Sequence, residues 1–328
     1  MKFLLKLVIT CVLVVLIIWY LGGLEETIAV ISQADLRYLL AGVLVLTLDR
    51  ILMTYKWSLL LQSRGLQLPL MRGTKIYCSS MIWGMFLPST VGSDAIRAFM
   101  TCRNGLDSSN VVASIVVERM IGFISALLLG LIGLFILDQT GQLDPRFQPV
   151  WWMGGMMLGG AILMFGISLS HSLFDFIYEQ IPKRLLQNRI AIRLQKLHKT
   201  YVAYNANKKI LTKFFGLTFG LQLLAVILNW LIAHGLGIDV GLLFMAGVLP
   251  LTLLISRLPV SINGLGVFEG VFILLMSLGG VSAAEAVSIA VTGRLLETVS
   301  FLPWWLAYVI DNGTIRPPTP LQDRHQSG

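Results

Sequence analysis

The stretch "FLPSTVGSDAIRAFM" at residues 86–100 ends an apolar run with a proline, small residues and a glycine, and then places an aspartate. A second stretch, "LPVSINGLGVFEG" at 258–270, follows the same order and ends on a glutamate. Inside a membrane, backbone groups freed by such breaks are tolerated only against protein or a water-filled cavity, because each unsatisfied group costs several kcal/mol. The two stretches therefore predict two broken helical hairpins that line a cavity.

The composition of the whole chain is that of an integral membrane protein. Of its 328 residues, 56% are hydrophobic and 13% are charged, and the mean hydropathy is +0.79. These values lie outside the usual range of soluble domains. Apolar runs of about 20 residues, the length that crosses the hydrocarbon core, occur at 4–23, 37–61, 109–137, 151–170, 212–235 and 283–310. The segments that contain the two breaks, 76–103 and 242–279, do not fit this template. The sequence predicts an all-α polytopic membrane protein with about six full spans and two re-entrant hairpins.

The distribution of lysine and arginine predicts the orientation of these spans. If each hairpin enters and leaves on one side, the segments on one face of the membrane hold seventeen basic residues and those on the other face hold two. Cytoplasmic loops carry the basic excess, so both termini are expected in the cytoplasm. The first hairpin then lies on the cytoplasmic side and the second on the outer side, as in an inverted repeat. We expect one transmembrane domain over 1–310, followed by a disordered cytoplasmic tail over 311–328.

Charged residues at membrane depth are the candidate site. Each central charge costs about 2.5–3.5 kcal/mol even on the most lenient insertion scale, so such residues face inward, form pairs or contact water. The candidate headgroup and cavity residues are Asp94, Arg97, Glu118, Arg119, Arg257, Glu269, Arg294 and Glu297. The candidate hairpin breaks are Pro88, Gly92, Pro259, Ser261, Gly264 and Gly266, whose glycines suit a positive φ. Structural ion pairing is the competing role for the charges.

Spacing gives some expectations about which charges pair. Asp94 with Arg97, and Arg294 with Glu297, stand at i,i+3 and can share one helix face. The adjacent residues Asp49 and Arg50 point in different directions and suit a structural role as well as a functional one. Lys56 is close enough to the cytoplasmic end of its span to extend toward water.

The two breaks also place new helix starts near Ser93 and Val267. A helix amino terminus carries partial positive charge and free N–H groups, so two such ends directed into one cavity favour an anion as the ligand.

The segment 172–213 is basic and amphipathic and is expected to lie on the anionic cytoplasmic leaflet. Since membrane orientation accounts for the positive charge, no nucleic-acid partner is predicted. The four histidines and three cysteines are scattered without the spacing of a metal site, and no nucleotide-binding loop is present, so no metal, cofactor or catalytic residue is predicted.

These motifs resemble the flippase-like transmembrane family typified by the membrane half of lysylphosphatidylglycerol synthase, the multiple peptide resistance factor. The pattern L-P-x-x-x-G-x-D-x-x-R covers Leu87 to Arg97, an E-R pair falls on Glu118 and Arg119, and P-x-S-x-x-G-x-G-x-x-E covers Pro259 to Glu269. The likeness extends from the first span to about residue 310. Many relatives have a glycine where this chain has Ser89-Thr90, and a basic residue where it has Phe268, so the choice of headgroup is expected to differ.

The resemblance implies a protein of a prokaryotic cytoplasmic (inner) membrane that moves a phospholipid or glycolipid with an anionic phosphate headgroup between leaflets. No soluble transferase domain follows residue 310, so lysyl transfer is not expected. The alternative is an enzyme acting on polyprenyl-phosphate or glycolipid, or the membrane partner of one such as a glycosyltransferase, with a buried glutamate as base. A small-ion channel is a third class, although mixed Arg and Glu form no clear selectivity ring.

Overall fold

The computed structural model describes residues 11, 15, 25–85, 87, 92–103, 105–141, 144–168, 189–257, 261 and 264–312, with the backbone alone for 189–194 and 312. Within these ranges every regular element is a helix, which confirms the all-α class. The predicted span 4–23, apart from residues 11 and 15, lies outside the described residues. So do Pro88, Pro259, the first part of the basic segment and most of the predicted tail.

The helices begin and end close to the predicted positions. Asp35 and Asp107 start two of them by accepting hydrogen bonds from the backbone N–H groups of Arg37 and Asn110, which would otherwise lack partners. In chain order the helices are α1 (Glu25–Ser32), α2 (Leu36–Gln62), α3 (Leu70–Met85), α4 (Gly92–Cys102), α5 (Ser108–Gln139), α6 (Gln148–Ser168), α7 (Arg189–Val202), α8 (Lys208–Gly235), α9 (Leu242–Ser256), α10 (Val267–Ser277) and α11 (Ala283–Asn312).

Four stretches in the described part combine the length and the hydropathy of a membrane span: Ser108–Gln139, Pro145–Ser168, Lys208–Gly235 and Ala283–Asp311. They coincide with four of the predicted spans, and a fifth, 37–61, is the 27-residue helix α2. Apolar side chains of α6 such as Met156, which is 70% exposed, face outward as they do in contact with lipid. The chain is therefore a multi-pass membrane protein, and the count of six full spans stays a prediction.

Two pairs of short helices occupy the predicted hairpins. α3 and α4 flank the first break, and α9 and α10 flank the second. α4 begins at Gly92 and α10 at Val267, which agrees with the predicted starts near Ser93 and Val267. The membrane side of each hairpin and their inverted relationship stay predictions.

Close helix packing brings these elements around one space. α5 lies against α9 so closely that a Cβ atom on Gly133 would stand 2.6 Å from the backbone nitrogen of Gly247. α2 packs along α8, and the backbone N–H before α2, at Asp35, donates to the carbonyl of Gly235 at 2.6 Å. α11 packs against α3. The charged residues of α2, α4, α5 and α11 consequently face one another across a cavity.

Candidate functional site

The cavity has a volume of about 380 Å³ and lies between the long helices and the two pairs of short ones. Its wall combines apolar side chains, mainly from α2, α8 and α9, with charged ones. The basic lining residues outnumber the acidic ones by six to four, so the cavity has an excess of positive charge. They are Arg50, Lys56, Arg97, Arg119, Arg257 and Arg294 against Asp49, Asp94, Glu118 and Glu297.

Asp94, in the first turn of α4, binds two arginines. Its Oδ2 accepts a hydrogen bond from Arg119 Nε at 2.6 Å, and its Oδ1 lies 3.2 Å from Arg97 Nη2. The pairing of Asp94 with Arg97, predicted from their spacing, is thus present. A carboxylate in the first turn also complements the partial positive charge of the helix start. This helix end therefore already holds an anionic group of the protein.

Arg97 is 1% exposed and lies between two aromatic rings. Its guanidinium carbon is 4.7 Å from the centroid of Trp57 and 4.6 Å from that of Tyr77, and its Nη2 lies 2.8 Å from Glu118 Oε2. Stacking of a planar cation on aromatic faces adds to the ion pair. Arg97 is therefore fixed by α2, α3 and α5 and acts as a cross-link between helices.

Lys56 differs from its prediction. Its side chain is 5% exposed, and its Nζ lies 3.6 Å from Glu118 Oε1 and 5.2 Å from the ring of Phe214. The buried carboxylate holds the ammonium group in the cavity wall, so the expected extension toward cytoplasmic water does not occur.

The second charged group belongs to α10 and α11. Glu269 Oε1 lies 2.8 Å from Arg294 Nη2, and Glu269 Oε2 accepts a hydrogen bond from the backbone N–H of Gly266 at 2.7 Å. Glu269 therefore both caps α10 and orients Arg294. Arg294 lines the cavity, whereas Glu269 lies behind it and is not a lining residue.

The two groups share one geometric relationship. In each, a carboxylate in the first turn of a short helix pairs with an arginine of the following long helix. Asp94 and Arg119 are 25 residues apart, and Glu269 and Arg294 have the same separation. Counted from the two prolines instead, Arg119 follows Pro88 by 31 residues and Arg294 follows Pro259 by 35, so the ion pairs relate the two halves more closely.

A third group connects α2 to α11. Arg50 lies 2.9 Å from Asp49 and 3.3 Å from Glu297, and its guanidinium carbon is 4.0 Å from the centroid of Phe301. The expectation that Asp49 and Arg50 point apart is wrong, because the long arginine side chain turns back to its neighbour. The expected pairing of Arg294 with Glu297 is replaced by these contacts between helices.

The remaining predicted residues lie around the second break. Arg257 ends α9 and lines the cavity, and its Nη1 would stand 3.8 Å from a Cβ on Gly122 of α5. Gly264 and Gly266 have the expected positive φ, 70° and 78°. Ser261 is buried and lies outside the cavity wall, and its Oγ has no hydrogen-bond partner in the described part of the chain.

Gly92 differs from the other glycines, since it has no positive φ and begins α4. A Cβ there would stand 2.5 Å from Leu87 Cβ. Close packing at the break, and not a left-handed backbone conformation, therefore accounts for this glycine.

Sequence reasoning missed the uncharged polar wall of the cavity. Thr218, Gln222 and Asn229 of α8 and Tyr77 of α3 all line it. Gln222 is 8% exposed and has no side-chain hydrogen bond within the described ranges. The signal was present in the sequence as an amide in an apolar run, at helical spacing from Thr218 and Asn229.

Comparison with known proteins gives matches over most of the chain. The model of the family described as "Lysylphosphatidylglycerol synthase TM region" matches residues 3–303. A curated relative, described as "UPF0104 membrane protein" from Methanothermobacter thermautotrophicus, is 23% identical over 301 residues, which cover 84% of this chain and 85% of the relative. The family match includes both charged hairpins.

Proposed function

This chain belongs to the lysylphosphatidylglycerol synthase transmembrane-region family, and on that premise we propose that it moves a phosphate-bearing lipid, a phospholipid or a glycolipid, between membrane leaflets. The headgroup passes through the charged cavity, and the acyl chains stay in the bilayer. We place the protein in the cytoplasmic membrane of a prokaryote with both termini inside, a placement that rests on the distribution of lysine and arginine.

The observation that carries this proposal is the cavity's excess of positive charge between helices that are long and apolar enough to cross a membrane. Six basic and four acidic side chains line a space of about 380 Å³, and one positive charge remains in excess when Glu269, the partner of Arg294, is counted with them. Cavities of about 300–1,000 Å³ hold small ligands, so a headgroup fits where a whole two-chain lipid does not. Arginine suits a phosphate group because its planar fork donates two directed, charge-assisted hydrogen bonds.

The arginines divide into two roles by exposure. Arg119 and Arg294 have side chains that are 37% and 29% exposed, so a ligand in the cavity can approach both guanidinium groups, which Asp94 and Glu269 hold in place. Arg97 is 1% exposed and packed between rings, so it positions the other charges and does not contact lipid. Arg257, which also lines the cavity, supplies a further cation near the phosphate.

The cavity opens beside α11. Glu297 lines the cavity, and yet its side chain is 55% exposed. Leu295 and Val299 on the same helix are 59% and 55% exposed, as residues in contact with lipid are. A headgroup can therefore leave the leaflet past Glu297 while its chains remain along the apolar surface of α11.

Leaflet scrambling by purified protein in liposomes tests this function. Headgroup-labelled phospholipids are followed for wild type, Arg294→Gln and Glu269→Gln, with Arg146→Gln as the matched control at an exposed position of the short 3-10 helix before α6. We expect protein-dependent movement of lipid that falls about tenfold or more in both variants of the Glu269–Arg294 pair, since each removes a charge-assisted contact. Arg146→Gln should leave this movement unchanged. If folded wild-type protein moves none of the lipids, the alternative role as enzyme or partner of a lipid-modifying enzyme replaces this one.

A further inference from the structure

A second basic cluster lies outside the cavity, just beyond the carboxyl end of α2. It forms a shallow pocket of about 320 Å³. Its lining residues are Arg64, Gln195, Lys196, Lys199 and Thr200, of which the last four belong to α7. We name this set the interfacial pocket. None of its residues lines the cavity described above.

The guanidinium group of Arg64 is held in place by its neighbours. Its Nε donates to Asn110 Oδ1 at 3.3 Å, and its carbon lies 5.6 Å from the ring centroid of Tyr204. The Tyr204 hydroxyl donates to the carbonyl of Leu60 at 3.2 Å, which fixes that ring. Within the described chain, the two terminal nitrogens of Arg64 have no hydrogen-bond partner, so they can donate to a ligand.

Lys196 is fixed to the same network. Its Nζ donates to Asp107 Oδ1 at 2.8 Å, and Asp107 Oδ2 accepts from both the backbone and side-chain nitrogens of Asn110 at 3.1 Å. The hydrogen bond from Lys196 holds the pKa of the Asp107 carboxyl below its usual value. This one carboxylate offsets one of three cations, so the interfacial pocket keeps a net positive charge.

The interfacial pocket lies at the level where the spans end. α5 begins at Ser108 and α2 ends at Gln62, directly beside it. Lys56 pairs with Glu118 in the cavity. Arg64, eight residues after Lys56 and just beyond α2, pairs with Asn110, which stands eight residues before Glu118 on α5. At about 1.5 Å per residue the two levels are about 12 Å apart. Lipid phosphates occupy the membrane surface at the ends of the spans.

We propose that the interfacial pocket binds the phosphate group of an anionic membrane lipid. The planar fork of Arg64 and the ammonium groups of Lys196 and Lys199 supply the charge-assisted hydrogen bonds that a phosphate accepts. The lipid chains stay in the neighbouring leaflet. That the pocket is the first position of a headgroup moving toward the cavity rests on the proposed function, whereas binding itself does not.

Binding to the full-length protein in neutral detergent tests the proposal without any transport. The probes are dihexanoyl phosphatidic acid, dihexanoyl phosphatidylcholine and inorganic phosphate, each titrated by calorimetry. Arg64→Gln/Lys199→Gln alters the interfacial pocket. The matched control, Lys208→Gln/Lys209→Gln, removes the same charge from exposed positions at the start of α8. Arg294→Gln reports the contribution of the cavity.

We expect the dissociation constant for phosphatidic acid at the interfacial pocket to rise about tenfold or more in Arg64→Gln/Lys199→Gln and to change less than about twofold in Lys208→Gln/Lys209→Gln. Equal weakening by the control would overturn the proposal, because general attraction to positive charge would then explain binding. Loss of binding in Arg294→Gln with retention in Arg64→Gln/Lys199→Gln would overturn it too. Phosphatidylcholine or inorganic phosphate binding as tightly as phosphatidic acid would contradict an anionic lipid as the ligand. These binding results can be interpreted even if the scrambling assay shows no lipid movement, because they do not depend on transport.

Discussion

Arg97 and Glu118, on the two helices that follow the first break, form a buried ion pair of 2.8 Å. Both side chains are less than 10% exposed, and the same guanidinium group also contacts Asp94. Such a pair is costly to bury and more costly to break, because the remaining partner becomes an uncompensated charge. The contact therefore makes the position of α4 depend on α5.

Replacing Arg97 by alanine is expected to lower the free energy of unfolding by about 3–5 kcal/mol, the cost of stranding a buried charge. Denaturant unfolding of the purified protein in micelles measures it. Arg97→Lys keeps the charge and loses the planar stacking on Trp57 and Tyr77. Its free energy of unfolding should therefore lie between those of wild type and Arg97→Ala. Arg119→Ala removes a more exposed arginine, and a loss as large as that of Arg97→Ala would contradict the role assigned to Arg97.

Gly133→Ala is expected to lower the free energy of unfolding by about 1–3 kcal/mol through overpacking. The new Cβ would stand 2.6 Å from the Gly247 nitrogen and 2.8 Å from its Cα, so α5 and α9 must separate. Gly159→Ala in α6 is the matched control, since no atom lies within 4 Å of the new methyl group. Comparison of the two melting temperatures in one detergent checks this, and equal values would refute the close crossing.

The Asp107–Lys196 pair should give a pH-dependent contribution to stability. The Lys196 hydrogen bond lowers the pKa of Asp107 from 3.8, so the contribution is present above that pH and is lost as the pH falls through the lowered pKa. The melting temperature of wild type should exceed that of Asp107→Asn by a constant margin from about pH 5 to 8, and the margin should shrink below about pH 4. A margin that persists undiminished at pH 3 would exclude the pair as its source.

Exchanging the charges of the second ion pair separates structure from transport. Glu269→Arg/Arg294→Glu keeps two opposite charges but moves the cation away from the cavity and removes the cap on Gly266. We expect folded protein with scrambling still reduced by about tenfold. The same exchange at the exposed pair Asp144 and Arg146, which lie 2.8 Å apart, should leave scrambling unchanged. Restored scrambling in the first exchange would mean that Arg294 serves only to hold Glu269.

Cysteine labelling in intact cells tests the orientation. With Cys11 and Cys102 replaced by serine, Arg146→Cys is expected to react with a membrane-impermeant maleimide added outside, and Lys208→Cys only after the cells are opened. Cys78 is buried and should stay unreactive in both. The opposite pattern would place the termini outside and overturn the assignment made from the basic residues.

Helix positions could be predicted because length, hydropathy and breaks are local properties of the sequence. Leu242–Ser256 and Val267–Ser277, for example, are separated by the glycines that mark the second break. Pairing between distant residues could not be predicted. Arg294 and Glu297 share a helix, but each finds its partner on another helix, Glu269 and Arg50 respectively, because interhelical packing decides which charges meet.

The polar and charged side chains of the cavity show a second reason why the site could not be fully predicted from the sequence. Lys56 was expected to reach water because it stands near the end of its span, and only the position of Glu118 on α5 shows why it does not. Gln222 carries no charge, so the cost of burying an ionisable group does not single it out. Amides and hydroxyls at helical spacing inside apolar runs are the sequence pattern that marks such a wall.

The link between Arg50 and Glu297 also constrains how the chain is assembled in the membrane. Arg50 is on α2, near the start of the chain, and Glu297 is on α11, 247 residues further on. The two residues are therefore synthesised and inserted into the membrane at different times. Until α11 arrives, Arg50 has its neighbour Asp49, 2.9 Å away in the finished structure, to lessen its charge in lipid. Asp94, Arg97, Glu118 and Arg119, by contrast, come from consecutive helices and can neutralise one another during synthesis. The amino-terminal half can thus settle first, and the last helix closes the cavity around it.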